Sequence, residues 1–140
     1  MKLALGTAQF GFSYGIANSG GKVKFGQVKK ILDFALQNKV NLIDTAISYG
    51  DSEQTLGSIG VEKFDVVTKL PSLPKNVAEV DSWLDMEIHN SLKRLRVKSV
   101  YGLLVHQSDS LFGPNGSKLI KGLERYKSEG IIKKIGVSIY

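Results

Sequence analysis

Apolar residues along this chain repeat with a helical period and with a strand period by turns. Across residues 25–38, Phe25, Val28, Ile31, Leu32, Ala35 and Leu36 recur at the i, i+3, i+4 and i+7 spacing of an amphipathic helix. A second helix is expected over Ser52–Ile59, with Ser52 as its cap. A third is expected over 81–95, with the stripe Trp83, Leu84, Ile88, Leu92 and Leu95. A fourth covers 117–128, with Leu119, Ile120, Leu123 and Tyr126 facing inward and Gly130 as its stop. Short apolar runs at 3–6, 40–44, 65–69, 99–106 and 132–138 predict strands, the first of them buried. Residues 7–21, rich in glycine, predict a long loop or small hairpin, and Pro71 and Pro74 mark a turn.

The resulting order is strand then helix, four times over, followed by a fifth strand. Alternation of this kind predicts an α/β fold with a parallel sheet and the helices outside it. Right-handed crossovers then curl the sheet as the first half of a TIM-type (β/α)8 barrel, strands 1–5 and helices 1–4, or wind it as an open sheet. The placement of polar residues selects the barrel. In β/α barrels the working side chains stand at the C-terminal ends of several strands. Here the second, third and fourth strands end on Asp44, Lys69 and His106, and Tyr49 follows Asp44 on a loop. The two-residue period agrees: if Leu42, Val67 and Leu104 point into the barrel, so do Asp44, Lys69 and His106.

These four residue types define a chemistry. A carbonyl that accepts hydride develops negative charge on oxygen and needs a proton there. A phenol is a weak acid, and a neighbouring cation favours its ionised form. Lys69 is placed to be that cation, Asp44 to hold Lys69 by a charge-assisted hydrogen bond, and His106 to orient and polarise the carbonyl. The hydride must come from a cofactor. Any one of the four has an ordinary structural explanation, such as a turn acid, a packed loop aromatic, a solvent-facing lysine or a strand-end histidine. Four such explanations would have to coincide in type, order and strand position.

Asp44, Tyr49, Lys69 and His106 resemble the catalytic tetrad of the aldo-keto reductases, and the resemblance extends along the chain. Gly6-Thr-Ala-Gln-Phe-Gly11 is similar to the family's first-strand motif, and Asp44-Thr-Ala with Tyr49-Gly, Glu53 and Leu56-Gly57 to its most specific signature. Ser91-Leu-Lys-Arg-Leu95 resembles the usual end of the third helix, and 130–138 the fifth-strand segment. The resemblance implies reduction of aldehyde or ketone carbonyls, sugars among them, with Tyr49 as proton donor and NADPH as cofactor (NADH as the alternative). It also implies cofactor contacts at Gly6, Thr7, Asp44 and Ser138, the serine reaching the nicotinamide carboxamide. Many members carry asparagine after that serine, where this chain has Ile139. The opening segment, with Tyr14-Gly-Ile-Ala-Asn18, is similar to that of bacterial members near surface-sugar biosynthesis.

Composition narrows the alternatives. The chain has 140 residues and no cysteine, which excludes disulfides and Cys-based metal sites and fits a reducing cytoplasm. Two histidines without i, i+4 spacing give no expectation of a metal. His89 lies in a polar helical context and is expected to be exposed. No apolar run approaches the roughly 20 residues of a membrane span, and the N-terminal one is too short for a secretory signal. The net charge of +6 is scattered, without the interleaved aromatics of a nucleic-acid platform, and its densest run, 93–98, sits at a helix end. That field favours a phosphorylated cofactor. Complete barrels of this type hold about 250 residues, and this chain stops at Tyr140. The expectation is a single partial domain over 1–140, truncated at its C-terminus, inactive alone because its cofactor site is incomplete, and prone to self-association through open sheet edges. The alternative is a non-catalytic half-barrel that serves association.

Overall fold

In the computed structural model, which describes residues 3–139, five strands lie side by side in chain order. Lys2, one of the scattered lysines, and Tyr140, on which the chain ends, lie outside the described residues. The strands are β1 (Ala4–Gly6), β2 (Leu42–Asp44), β3 (Asp65–Leu70), β4 (Val100–Val105) and β5 (Ile132–Val137), and every pairing is parallel. The longer helices are α2 (Phe25–Gln37), α3 (Ser52–Ile59), α4 (Val80–Leu95) and α6 (Gly116–Ser128). Two four-residue helices, α1 (Ala8–Gly11) and α5 (Asp109–Phe112), occupy segments that the sequence pattern leaves as loop. Among the described residues no helix is long and apolar enough to cross a membrane.

The two sides of the sheet differ. Ile43, Val66, Thr68, Leu103 and Val105 are buried, most of them in one core with Leu32, Leu56, Leu84, Ile88, Leu119 and Leu123 of the helices. Leu42, Val67 and Leu104, the alternate residues, are only half-buried. The sheet is also staggered. Asp44 is level with Val67, and Lys69 is level with Leu104, so each strand-end side chain stands about two residues further along than the one before it. Stagger of this kind curls a sheet toward a barrel, and it carries Asp44, Lys69 and His106 up one side of the concave face.

Four expectations are corrected. β1 is not a buried strand: Ala4 is exposed, because β1 is an edge strand. Ile120 is 43% exposed. Leu119, Leu123 and Tyr126 already fill the inward face of α6 at i, i+4, i+7, and Ile120 lies about 100° round from it. Phe25, the first residue of α2, is likewise turned to solvent. Ser52 is not a cap but the first helical residue, and its hydroxyl is spent elsewhere. His89 is exposed, as its polar setting predicts.

Helices α3 and α4 touch backbone to backbone at Gly57. A Cβ there would lie 2.1 Å from the Arg94 carbonyl oxygen. Gly57→Ala is therefore expected to push the helices apart and cost about 1–3 kcal/mol, as overpacking does, read as a lowered midpoint in urea. An unchanged midpoint would show that the two helices can separate freely.

Candidate active site

Each side chain of the site is set by a different segment. Asp44 ends β2, and Lys69 is the next-to-last residue of β3. His106 follows β4, which ends level with β5 at the Val105–Val137 pair. Tyr49 sits in the turn between β2 and α3, where its N–H donates to the Ala46 carbonyl and its carbonyl accepts the Ser52 N–H, both at 3.0 Å. The turn is seated on α1: a Cβ on Gly11 would fall 1.5 Å from the Tyr49 carbonyl oxygen, and Gly50, at φ +56°, faces Gly11 in return. Only residues without a Cβ allow that approach, and the left-handed φ of Gly50 adds a second reason for glycine.

Lys69 is the centre. Its ammonium donates to Asp44 Oδ2 at 2.8 Å and to the Thr45 carbonyl at 2.9 Å, and it lies 3.4 Å from the Tyr49 hydroxyl. The Lys69 side chain is 6% exposed and that of Asp44 39%, so the cation is buried while its carboxylate keeps a path to water. A buried charge is tolerated only when its partners are in place, and here two acceptors and a phenol oxygen surround it. The Tyr49 and His106 rings meet edge to face with centroids 6.0 Å apart, and Phe12 also meets Tyr49 edge to face at 6.2 Å. Burial holds the His106 imidazole below its usual value, the Lys69 cation pushes it the same way, and Asp44 opposes. The net effect favours the neutral form of the His106 ring.

The structure therefore brings Asp44, Tyr49, Lys69 and His106 together at the C-terminal mouth of the strands. The residues expected at a cofactor divide. Gly6, Thr7 and Asp44 share a recess with Tyr49, Phe10 and Tyr14, and a Cβ on Gly6 would meet nothing within 4 Å. Ser138 lies across the mouth, lining a second recess with His106 and Ile139. The Thr7 side chain is fully buried, and its hydroxyl donates to the Asp44 carbonyl at 3.0 Å. A wider cleft of about 720 Å3, lined by Arg96, Lys98, Lys127 and Lys133, opens at the N-terminal ends of the strands, away from all of these groups. Sequence reasoning gave no role at the site to Thr45, Gly11 or Gly50 and read Ser52 as a cap. Their signal lay in the motifs, since Gly11 closes the first-strand motif and Thr45 and Gly50 stand in the Asp44–Tyr49 signature.

One further carboxylate braces the site from behind. Glu53, 1% exposed, accepts from Thr68 Oγ1 and Ser91 Oγ at 2.7 Å each, and from Arg94 Nε at 2.8 Å. It ties α3 to α4 and to the β3 residue that precedes Lys69.

A curled parallel sheet with Asp, Tyr, Lys and His at its C-terminal mouth is the architecture of a β/α-barrel oxidoreductase family. The Aldo/keto reductase family model matches residues 2–140, and the chain belongs to that family. No curated protein matches. Among solved structures, a Pseudomonas aeruginosa protein described as an aldo-keto reductase is 29% identical, with a TM-score of 0.79 over 96% of this chain and 54% of its own. A glycerol dehydrogenase of Gluconobacter oxydans is also 29% identical, with a TM-score of 0.71 over 98% of this chain and 44% of its own. An aldo-keto reductase of Bacillus halodurans in its holo form, 20% identical with a TM-score of 0.74, shares the fold. The chain spans about half the length of these structures.

Proposed function

We propose that this chain carries the acid–base chemistry of NAD(P)H-dependent reduction of aldehydes and ketones, sugar carbonyls among them, to alcohols. The observation that carries the reading is the buried Lys69 ammonium held between Asp44 Oδ2 and the Tyr49 hydroxyl. Tyr49 donates its proton to the carbonyl oxygen as negative charge develops there. Lys69 stabilises the phenolate left behind and is itself neutralised by Asp44. His106, as a neutral imidazole, can hydrogen-bond the carbonyl without adding a net charge that would compete with Lys69. The name of the Gluconobacter relative, a glycerol dehydrogenase, supports a small hydroxylated substrate.

The residues present fit the nicotinamide end of a dinucleotide. The recess beside Gly6 leaves room next to Tyr49 and Asp44, and Ser138 stands beside His106 with its side chain half-buried. Gly6 and Asp44 would line one side of the ring and Ser138 would meet its polar substituent, with NADPH preferred and NADH the alternative. Bound there, the nicotinamide supplies the hydride. The reading expects these 140 residues alone to be inactive, since they span about half of their solved relatives.

The test is a fluorescence titration with NADPH of the chain alone, and of the chain joined to the second half of the Pseudomonas relative, followed by an aldehyde assay. The joined form is expected to saturate in the micromolar range and to reduce aldehydes, the chain alone to show no saturation below about 1 mM. A joined form that folds and binds NADPH yet reduces nothing would sink the reductase reading. A second reading, a half-barrel that serves association, has one observation in its favour: the outer edges of β1 and β5 have no strand partner among the described residues. A dimer that binds no NADPH in either form would favour it.

A further inference from the structure

Beneath Asp44 lies a cluster of hydroxyls that the proposed chemistry does not use. Thr7, Thr45 and Ser52 are each 0% exposed and come from three segments: the end of β1, the end of β2 and the first turn of α3. Ser52 Oγ lies 3.0 Å from Thr7 Oγ1, 3.0 Å from the Thr7 carbonyl and 3.2 Å from Thr45 Oγ1. Thr7 Oγ1 lies 3.0 Å from the Asp44 carbonyl.

Donor counting fixes the direction of every bond. A carbonyl only accepts, so the single Thr7 hydroxyl proton goes to Asp44. Ser52 must then donate toward Thr7, where Oγ1 and the carbonyl oxygen, both at 3.0 Å, share its single proton. With its own proton spent, Ser52 can only accept from Thr45. The chain runs one way, Thr45 to Ser52 to Thr7 to the Asp44 carbonyl, and ends on the peptide whose side chain holds Lys69.

That peptide is gripped on both sides. The Asp44 carbonyl also accepts the Thr7 N–H at 3.0 Å, and the Thr45 N–H donates to the Val67 carbonyl at 2.9 Å. The Thr45 carbonyl takes the Lys69 ammonium, and the Lys69 carbonyl takes the Ile47 N–H at 3.1 Å. Two of the three acceptors of the ammonium, Asp44 Oδ2 and the Thr45 carbonyl, therefore belong to the two residues this frame fixes, and the third is the Tyr49 hydroxyl. Such a frame is costly to leave half-satisfied, because each hydroxyl is sealed from water.

We propose that Thr7, Thr45 and Ser52 are positioning residues, a directed chain of three buried hydroxyls that sets the Asp44–Thr45 backbone and so holds the Lys69 ammonium against Tyr49. They touch no substrate. Their effect passes through Asp44 Oδ2 and the Thr45 carbonyl, two of the acceptors of Lys69. The importance of Lys69 itself rests on the reductase reading, but the placement of its ammonium does not.

The experiment follows the Lys69 Nζ–H protons by 15N NMR in the chain without cofactor or substrate, so that its failure and the failure of the NADPH titration are separate results. In the unmodified chain a held, buried ammonium gives a slowly exchanging signal. Thr7→Val, which keeps the shape and removes the hydroxyl, is expected to speed that exchange by about tenfold, the scale of one lost internal hydrogen bond. Thr7→Ser, which restores the hydroxyl but not the methyl group, is expected to restore the signal. Thr45→Val, at the head of the chain, is expected to act in the same direction. A merely structural role would make Thr7→Ser as damaging as Thr7→Val. That result would overturn the proposal, as would an unchanged Lys69 signal in Thr7→Val and Thr45→Val, or loss of the fold in Thr45→Val.

Discussion

Glu53→Ala is expected to lower folding stability by about 3 kcal/mol, the lower end of the range for stripping one partner from a buried ion pair. The lower end applies because the Arg94 side chain is 32% exposed and can recover part of its hydration. Thr68 and Ser91 cannot. They are 1% and 2% exposed, and both hydroxyls donate to the same Glu53 oxygen. Removing the carboxylate leaves two sealed donors without an acceptor and opens a cavity between α3, α4 and β3. Glu53→Gln separates the contributions. It keeps an oxygen for Thr68 and Ser91 and fills the same space, but its NH2 replaces the oxygen that accepts from Arg94 Nε, so the charge and that one hydrogen bond are lost while the two hydroxyl bonds stay, and its loss should be smaller. Urea midpoints of the three chains measure both effects. If Glu53→Ala and Glu53→Gln lose the same amount, the hydroxyl bonds contribute nothing and the account of this hub is wrong.

Glu53 also shows what the sequence could and could not disclose. It is visible as part of a family signature, but its burial depends on α4 lying close enough for Ser91 and Arg94 to reach it. That approach depends on Gly57 having no Cβ beneath the Arg94 carbonyl. Nothing in the local pattern announces a helix crossing of this kind. The strand-end residues were legible for the opposite reason. Asp44, Lys69 and His106 each close a short apolar run, and the two-residue period assigns them to one face before any strand pairing is known. The hydroxyl chain was invisible because Thr7 and Ser52 are 45 residues apart and meet only once β1 and α3 are packed. Ser52 stood where a helix cap is expected, so local chemistry offered a sufficient and incorrect use for its oxygen. Ile120 and Phe25 failed similarly: helical spacing marks a stripe, but neighbours decide how wide the buried part of that stripe is.

In a form of the protein that reduces aldehydes with NADPH, such as the joined barrel, Tyr49→Phe is expected to lower kcat by about 10²–10⁴-fold with little change in KM. That is the usual contribution of a positioned acid or base. The substitution removes one oxygen and keeps the ring, so the edge contacts with Phe12 and His106 survive and the turn seated on Gly11 need not move. Lys69→Met should give a loss of similar size, because Lys69 acts on the reaction through the same proton and carries no separate contact to the carbonyl. The informative comparison is the double variant. If the lysine works only by favouring the phenolate, Tyr49→Phe with Lys69→Met should be no slower than Tyr49→Phe alone, since groups that act as a unit are strongly non-additive. Losses that multiply would show that the ammonium also stabilises the reacting oxygen directly. A Tyr49→Phe enzyme with unchanged kcat would remove the tyrosine from the reaction.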